Sequence, residues 1–197
     1  LAQLRKWYRA EGVDLDQEML SIARRKLPDV PLHRGEMARF NLGKAFDVVV
    51  CLFSAIGYAR SPNHLAESAA NLARHTRPGG LVVVEPWFSP DAFQATGVHA
   101  VFVDQPALKL ARMNRNRVDG RTSVLDFHYL VATPDGVRRF REQHRLTLFT
   151  EAEYTSALTD AGLEVHVDPQ GLDGRGLYLA VKPGREDAQP SSSRGGA

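Results

Sequence analysis

Apolar and polar positions follow one rhythm up to about residue 97 and another from there to residue 148. In the first stretch, short apolar runs alternate with segments of helical period. Leu1, Leu4 and Tyr8 share one helical face. A brief strand ends at Glu11-Gly12-Val13-Asp14, Asp16 takes the N-cap position, and Met19, Ala23 and Leu27 form one helical stripe. Val30 to His33 reads as a short strand leading into Gly35-Glu36-Met37. Phe46 to Phe53 is a continuous apolar run, which suits a strand buried on both faces of a parallel sheet. Ser61-Pro62 starts a helix with Leu65, Ala69 and Leu72 inward, and Arg77-Pro78-Gly79-Gly80 stops it. Leu81 to Glu85 is a second fully buried strand. This order predicts right-handed crossovers and an α/β fold: a doubly wound, mostly parallel sheet with helices on both faces.

From about Val98 to Leu148 strand patterning continues without helices. Val118 to Arg121 and Thr133-Pro134-Asp135-Gly136 read as turns, so an antiparallel β insertion is expected over 98–148. Helical order returns at Thr150, which forms a capping box with Glu153; Tyr154, Leu158 and Ala161 face inward as far as Gly162. Leu163 to Val167 and Leu177 to Val181 read as a closing strand pair, the last strand antiparallel. The expected organisation is a partial α/β core over 1–97, the insertion over 98–148, the end of the core over 149–182, and a disordered tail over 183–197 rich in Pro, Ser, Arg and Gly.

Charge narrows the function classes. The 25 basic and 23 acidic residues leave a net charge of +2 and no basic stripe, which argues against nucleic acid. No apolar run approaches membrane-spanning length, and no signal peptide is evident. A single cysteine, Cys51, excludes an internal disulfide. These features predict a cytoplasmic protein acting on a small molecule, with a homodimer as the candidate assembly. The histidines show no ligand spacing, so no metal is expected.

Three features converge on a nucleoside site. Asp14 ends a strand, and ligands of open α/β sheets bind beyond the carboxyl ends of strands, where an acid accepts from both ribose hydroxyls. Glu36 follows the next strand, where a carboxylate accepts from an adenine amino group while the next backbone N–H meets a ring nitrogen. Met19 opens the intervening helix and can lie on the adenine face. Together with Pro78-Gly79-Gly80 before a buried strand, the ordered set is more specific than any one member.

At this point a family is recognisable. GVDLDQEML, the GEM triplet, FDVVVCLFSAIGY and RPGGLVVVEPW resemble the successive motifs of class I S-adenosyl-L-methionine-dependent methyltransferases. VVVEPWFSP, LDFHYLV, HRLTLFT with its following EY, DAGLEV and GRGLYLAV are similar to the nucleotide-linked aminosugar N,N-dimethyltransferases, which finish sugars such as desosamine and mycaminose in antibiotic biosynthesis. The resemblance runs from Glu11 to Val181. It implies a Rossmann-like fold and S-adenosyl-L-methionine as cofactor, with ribose bound by Asp14, adenine by Met19, Glu36 and Met37, and the methionine part near Cys51 and Phe53. Tyr58 stands where the sugar enzymes often carry histidine, and Arg175 falls in their GRG, where its guanidinium suits a substrate phosphate. The family's first strand and glycine-rich turn are expected upstream of Leu1, so the sequence reads as a fragment. Gly174-Arg175-Gly176 lies between late strands and does not replace that turn.

Methyl transfer from a sulfonium needs in-line placement and a free lone pair on the acceptor, and placement supplies on the order of 7–11 kcal/mol. Tyr58, Glu85 and His128 are the expected groups to orient an amine or take its proton, with His128 as base for a hydroxyl acceptor. Trp87 and Glu85 at a strand end, with Arg175, are the expected substrate contacts. Two other readings remain at this stage. One is a non-catalytic remnant or binding partner without its cofactor loop. The other is a nicotinamide-dependent oxidoreductase, since Asp14 serves an NAD ribose equally well, although Glu36 is better explained by the adenine of a methyl donor.

Overall fold

A computed structural model describes residues 1–184. The expected tail falls almost entirely outside the described residues.

The first half carries the expected alternation. Strand β1 (Gly12–Asp14) is followed by α1 (Gln17–Lys26), capped by Asp16, whose side chain accepts from the backbone N–H groups of Glu18 and Met19. Strand β2 (Leu32–Arg34) returns parallel to β1, with Asp14 opposite Arg34. Then come β3 (Phe46–Cys51), a 3-10 turn over Ala55–Tyr58, α2 (Pro62–Arg74) capped by Ser61, and β4 (Thr76–Val84), parallel to β3.

The second half adds β5 (Val98–Gln105), β6 (Leu108–Asp119), β7 (Thr122–Thr133) and β8 (Gly136–Thr147), a four-stranded antiparallel sheet in sequence order. Helix α3 (Glu151–Asp160) has the Thr150–Glu153 capping box. Strands β9 (Glu164–Asp168) and β10 (Leu177–Val181) complete a sheet of order β3-β4-β10-β9, in which β10 alone runs against the other three strands.

The core lies between this sheet and two helices. Val82, Val84, Tyr178 and Ala180 point to one face and meet Leu65, Ala69 and Leu72 of α2 and Tyr154 and Leu158 of α3. Alternation along a strand sends every second residue to the opposite face.

Several expectations are corrected. Residues 46–53 are not buried on both sides: Val49 and Cys51 pack inward, whereas Val48 and Val50 are 49% and 42% exposed. The reason is position: β3 is an edge strand, and α2 and α3 both lie on the other face. The sheet is also divided, because among the described residues β1 and β2 pair only with each other. Pro78-Gly79-Gly80 lies inside β4 as an irregularity that shifts the register between Phe46 and Val48. There Gly79 has φ +73 and donates to Lys182 O, while a Cβ on Gly80 would meet Asp47 O at 2.8 Å. The inward stripe of α1 is Leu20 and Leu27, and Met19 is 54% exposed. The Leu1, Leu4 and Tyr8 segment forms only a 3-10 turn over Leu4–Lys6.

Truncating a core side chain leaves a cavity as well as losing transfer energy. Leu158→Ala is expected to cost about 2–5 kcal/mol, whereas Val48→Ser, on the open sheet face, should stay within about 0.5 kcal/mol. Urea unfolding of the two variants checks this, and equal midpoints would contradict the placement of the core.

Candidate active site

The carboxyl ends of β1 to β4 gather on one rim. Gly35 N donates to Asp14 O, joining the ends of β1 and β2. Met37 Sδ lies 3.7 Å from Cys51 Sγ at the end of β3, and Met37 O accepts from Asn71. Glu85 N donates to Cys51 O, joining the ends of β3 and β4.

On the β1 side, Asp14 is exposed, and its Oδ1 accepts from Asp16 N at 2.8 Å. A shallow pocket beside it is lined by Gly12, Val13, Met19, Leu20, Ala23 and Leu32. Asp14 and Met19 therefore share one pocket, which suits a ribose and an adjoining ring. Glu36 is more engaged: its Oε1 meets His64 Nε2 at 2.9 Å and its Oε2 accepts from Ala38 N at 3.0 Å. Burial raises its carboxyl, but these hydrogen bonds outweigh burial and hold it below the ordinary glutamate value. Met37 turns its side chain into the core, which leaves its backbone for any contact with a ring. Cys51 is buried as well, and burial pushes its thiol up to about 12, so its side chain is a neutral packing group.

Beyond β3 the backbone is strained. Phe53 and Ser54 have φ 54 and 57, a left-handed conformation costing a non-glycine residue about 1–3 kcal/mol. Three contacts hold the turn to the end of β4. Phe53 N donates to Glu85 Oε2 at 2.6 Å, Ser54 Oγ donates to Pro86 O at 2.8 Å, and Glu85 N meets Cys51 O. The Phe53 side chain is 89% exposed on the rim.

Glu85 faces Arg175 with its other oxygen, at 2.8 Å from Nη2. Asp173 pairs with the same nitrogen. The guanidinium lies over Trp87 and Phe88, 5.7 and 5.5 Å from their ring centroids. Trp87 Nε1 donates to Ser123 Oγ at 2.8 Å, which ties the rim to the first residues of β7. Of the expected site residues Trp87, Arg175 and His128, the first two come together here.

His128 does not. Along β7, Ser123, Leu125, Phe127 and Tyr129 share the face that carries the Trp87 contact, and His128 points the other way beside Asp126 and Arg141. The rim-facing side instead presents His144, opposite Leu125, and Glu142, opposite Phe127. His144 Nδ1 lies 2.5 Å from Tyr58 Oη. On the same face of β6 stands Arg112, over the Phe127 ring at 5.0 Å, with Asn114 and Asn116 buried beside it. Neither His144, Glu142 nor Arg112 was singled out from the sequence. The hairpin turn at Thr133–Gly136 was legible and fixes their register, but not which face meets the rim.

Known proteins similar to this chain identify its family. Residues 1–80 match the family described as "Methyltransferase domain". The chain is 42% identical over 171 residues to dTDP-3-amino-3,4,6-trideoxy-alpha-D-glucopyranose N,N-dimethyltransferase of Streptomyces venezuelae, covering 86% of this chain and 72% of that relative. It is also 42% identical over 172 residues to dTDP-3-amino-3,6-dideoxy-alpha-D-glucopyranose N,N-dimethyltransferase of Streptomyces fradiae, covering 87% and 68%. The crystal structure of Streptomyces venezuelae DesVI superposes with a TM-score of 0.88 at 39% identity, covering 92% of this chain and 78% of that one. S-adenosylmethionine-bound CalS10, an amino pentose methyltransferase from Micromonospora echinaspora, superposes with a TM-score of 0.83 at 35% identity, covering 92% and 77%.

Removing the Glu85 carboxylate leaves the Phe53 N–H without its partner and Arg175 with Asp173 alone. Glu85→Leu should cost about 1–3 kcal/mol by urea unfolding, and Glu85→Gln less, because it can still accept from Phe53 N. Equal losses would contradict the two-sided role of the carboxylate. The Glu36 contribution follows from its lowered carboxyl. It is in place above the ordinary glutamate range and disappears as pH falls through the lower folded-state value. Glu36→Gln should therefore flatten the acid side of the stability curve, and an unchanged acid slope would remove that assignment.

Proposed function

The chain belongs to the S-adenosyl-L-methionine-dependent aminosugar N,N-dimethyltransferases, and from that premise we propose that it methylates the amino group of a nucleotide-linked aminosugar in the cytoplasm. The observation that carries the reading is the extent of the likeness. Two relatives named for dTDP-linked aminosugars match at 42% identity over more than four-fifths of this chain.

The residues present fit the cofactor. Asp14 has a carboxylate oxygen beyond the one taken by Asp16 N, and it shares a pocket with the exposed Met19. We assign Asp14 to the ribose, Met19 to the adenine face, and Glu36 with the Met37 backbone to the adenine edge. The Phe53 turn is assigned to the methionine end. Bound there, the cofactor supplies a methyl group on a sulfonium with a good leaving group. The protein then has to place the acceptor nitrogen in line, exclude water and manage one proton per transfer.

The acceptor is assigned to the space between Trp87 and the rim-facing side of the β5–β8 sheet. Arg175 is shared with Glu85 and Asp173, yet its Nε is buried without a partner among the described residues, as is Arg112 Nε. Two guanidinium groups with unused donors suit the phosphates of a nucleotide sugar better than a neutral acceptor.

Transfer of label from methyl-labelled S-adenosylmethionine to a panel of aminosugar nucleotides tests the reading. Mono- and dimethylated products are expected; no transfer by a folded chain would return the non-catalytic alternative. With the upstream glycine-rich turn in place, Asp14→Ala is expected to weaken S-adenosylmethionine binding by about 1.5–3 kcal/mol, measured by calorimetry, and an unchanged affinity would refute the ribose assignment. Arg175→Lys should raise KM for the nucleotide sugar more than for the free sugar.

A further inference from the structure

The junction between the strained turn and the β5–β8 sheet carries a chain of ionisable groups that runs from the rim to solvent. Tyr58 ends the Ala55–Tyr58 turn, just after Phe53 and Ser54, and is 46% exposed. Its Oη lies 2.5 Å from His144 Nδ1, contributed by a strand 86 residues further along the chain. The far ring nitrogen of His144, Nε2, lies 3.7 Å from Glu142 Oε2, and the Glu142 side chain is 51% exposed. Phe127 stands edge-on to the imidazole at 5.3 Å and 84°, which fixes the ring plane. The pair is held in place by close packing. A Cβ on Gly57 would meet Trp87 Cβ at 2.9 Å and Leu146 at 3.1 Å, and Thr147 Oγ1 donates to Ala59 O at 2.6 Å. The other ionisable groups around the relay are Arg112, over Phe127, and Tyr129, which is in reach of both Glu142 and Arg112.

An amine acceptor arrives near neutral pH largely as an ammonium ion with no lone pair to receive a methyl group. Each transfer also leaves a positively charged nitrogen that must lose a proton before the next. A phenol is a poor proton acceptor alone, because taking a proton requires giving its own away. Imidazole can take a proton on one ring nitrogen and release one from the other, and here it lies directly behind the phenol.

We propose that Tyr58 and His144 form a proton relay for the acceptor nitrogen, with Glu142 at its outlet. The proposal rests on the aminosugar reading. As the N–H bond of the ammonium breaks, an O–H bond forms at Tyr58, and the original phenol proton moves to His144 Nδ1. The amine is then neutral and His144 is an imidazolium beside Glu142, which releases its Nε2 proton to water. Loss of the Nε2 proton leaves the ring protonated on Nδ1; the relay resets when Nε2 takes a proton from water and Nδ1 gives one up to water, so that Tyr58 again donates to Nδ1 and the cycle can run again for the second methyl group. In this assignment Tyr58 is the group that meets the acceptor nitrogen, and His144 and Glu142 act through it.

The test measures kcat/KM against pH for the full-length chain and its Tyr58→Phe and His144→Gln variants, with an aminosugar nucleotide as acceptor. Each variant is expected to lose on the order of 100-fold on the acid side of neutrality. The deficit should shrink toward parity at alkaline pH, where the amine is already neutral in solution. The double variant should be no worse than either single one, because the two residues act as a unit. A loss of the same size at every pH, or additive losses, would overturn the relay and leave a structural contact. Nitrogen-15 spectra of the histidine rings give a readout independent of activity. The parent should show His144 protonated on Nε2, and a proton resident on Nδ1 would overturn the proposal. A parent chain that methylates no aminosugar nucleotide counts against the functional reading, while the ring spectra still decide the pair.

Discussion

A carboxylate removed from water costs several kcal/mol unless donors surround it, and Glu85, 3% exposed at the end of β4, meets that constraint with two partners from different parts of the chain. The first is the backbone N–H of Phe53, which is aimed at the carboxylate by the left-handed conformation there. The second is Arg175, from the loop between β9 and β10. Because both oxygens are engaged, Glu85 is poorly suited to take a proton from an acceptor. It holds the strained turn on one side and the Arg175 loop on the other, and so fixes the distance between the two halves of the rim.

The placement of Tyr58 follows from that anchoring. The turn pinned by Glu85 continues into Ala55–Tyr58, and Gly57 leaves no room for a side chain between Trp87 and Leu146. The β5–β8 sheet is tied to the same region through Trp87 to Ser123 and Thr147 to Ala59. Docking of that sheet therefore sets which of its faces meets the rim. By contrast, its outer ion pairs, such as Arg145–Asp119, are largely exposed, where solvent screens them. The orientation of the sheet depends on the buried contacts rather than on those pairs.

Local chemistry was legible in the sequence wherever one residue decides one conformation. Asp16 and Ser61 cap helices, Thr150 with Glu153 forms the capping box, and the turns at Gly120 and at Pro134-Asp135 close two-residue hairpins. The motif order carried the family and its cofactor, because strand-end acids, a buried run and the later GRG occur in a fixed succession. Strand alternation alone puts Asp126, His128 and Leu130 on one side of β7.

What periodicity leaves open is which side faces the site, and that choice is made by packing between segments far apart in sequence. His128 was the natural candidate from its neighbours, yet docking through Ser123 turns it outward and brings His144 to Tyr58 across 86 residues. The same limit applies to the run over 46–53, whose composition suits a strand covered on both sides. Its edge position in the sheet leaves Val48 and Val50 open, and that position is a property of strand order. Sequence by itself determined the elements, their caps and the place of Asp14 at the end of β1, because each rests on contacts between near neighbours. Tertiary structure alone decided the partners of Glu85, the inward face of β7 and the Tyr58–His144 pair, because each depends on how separate layers pack.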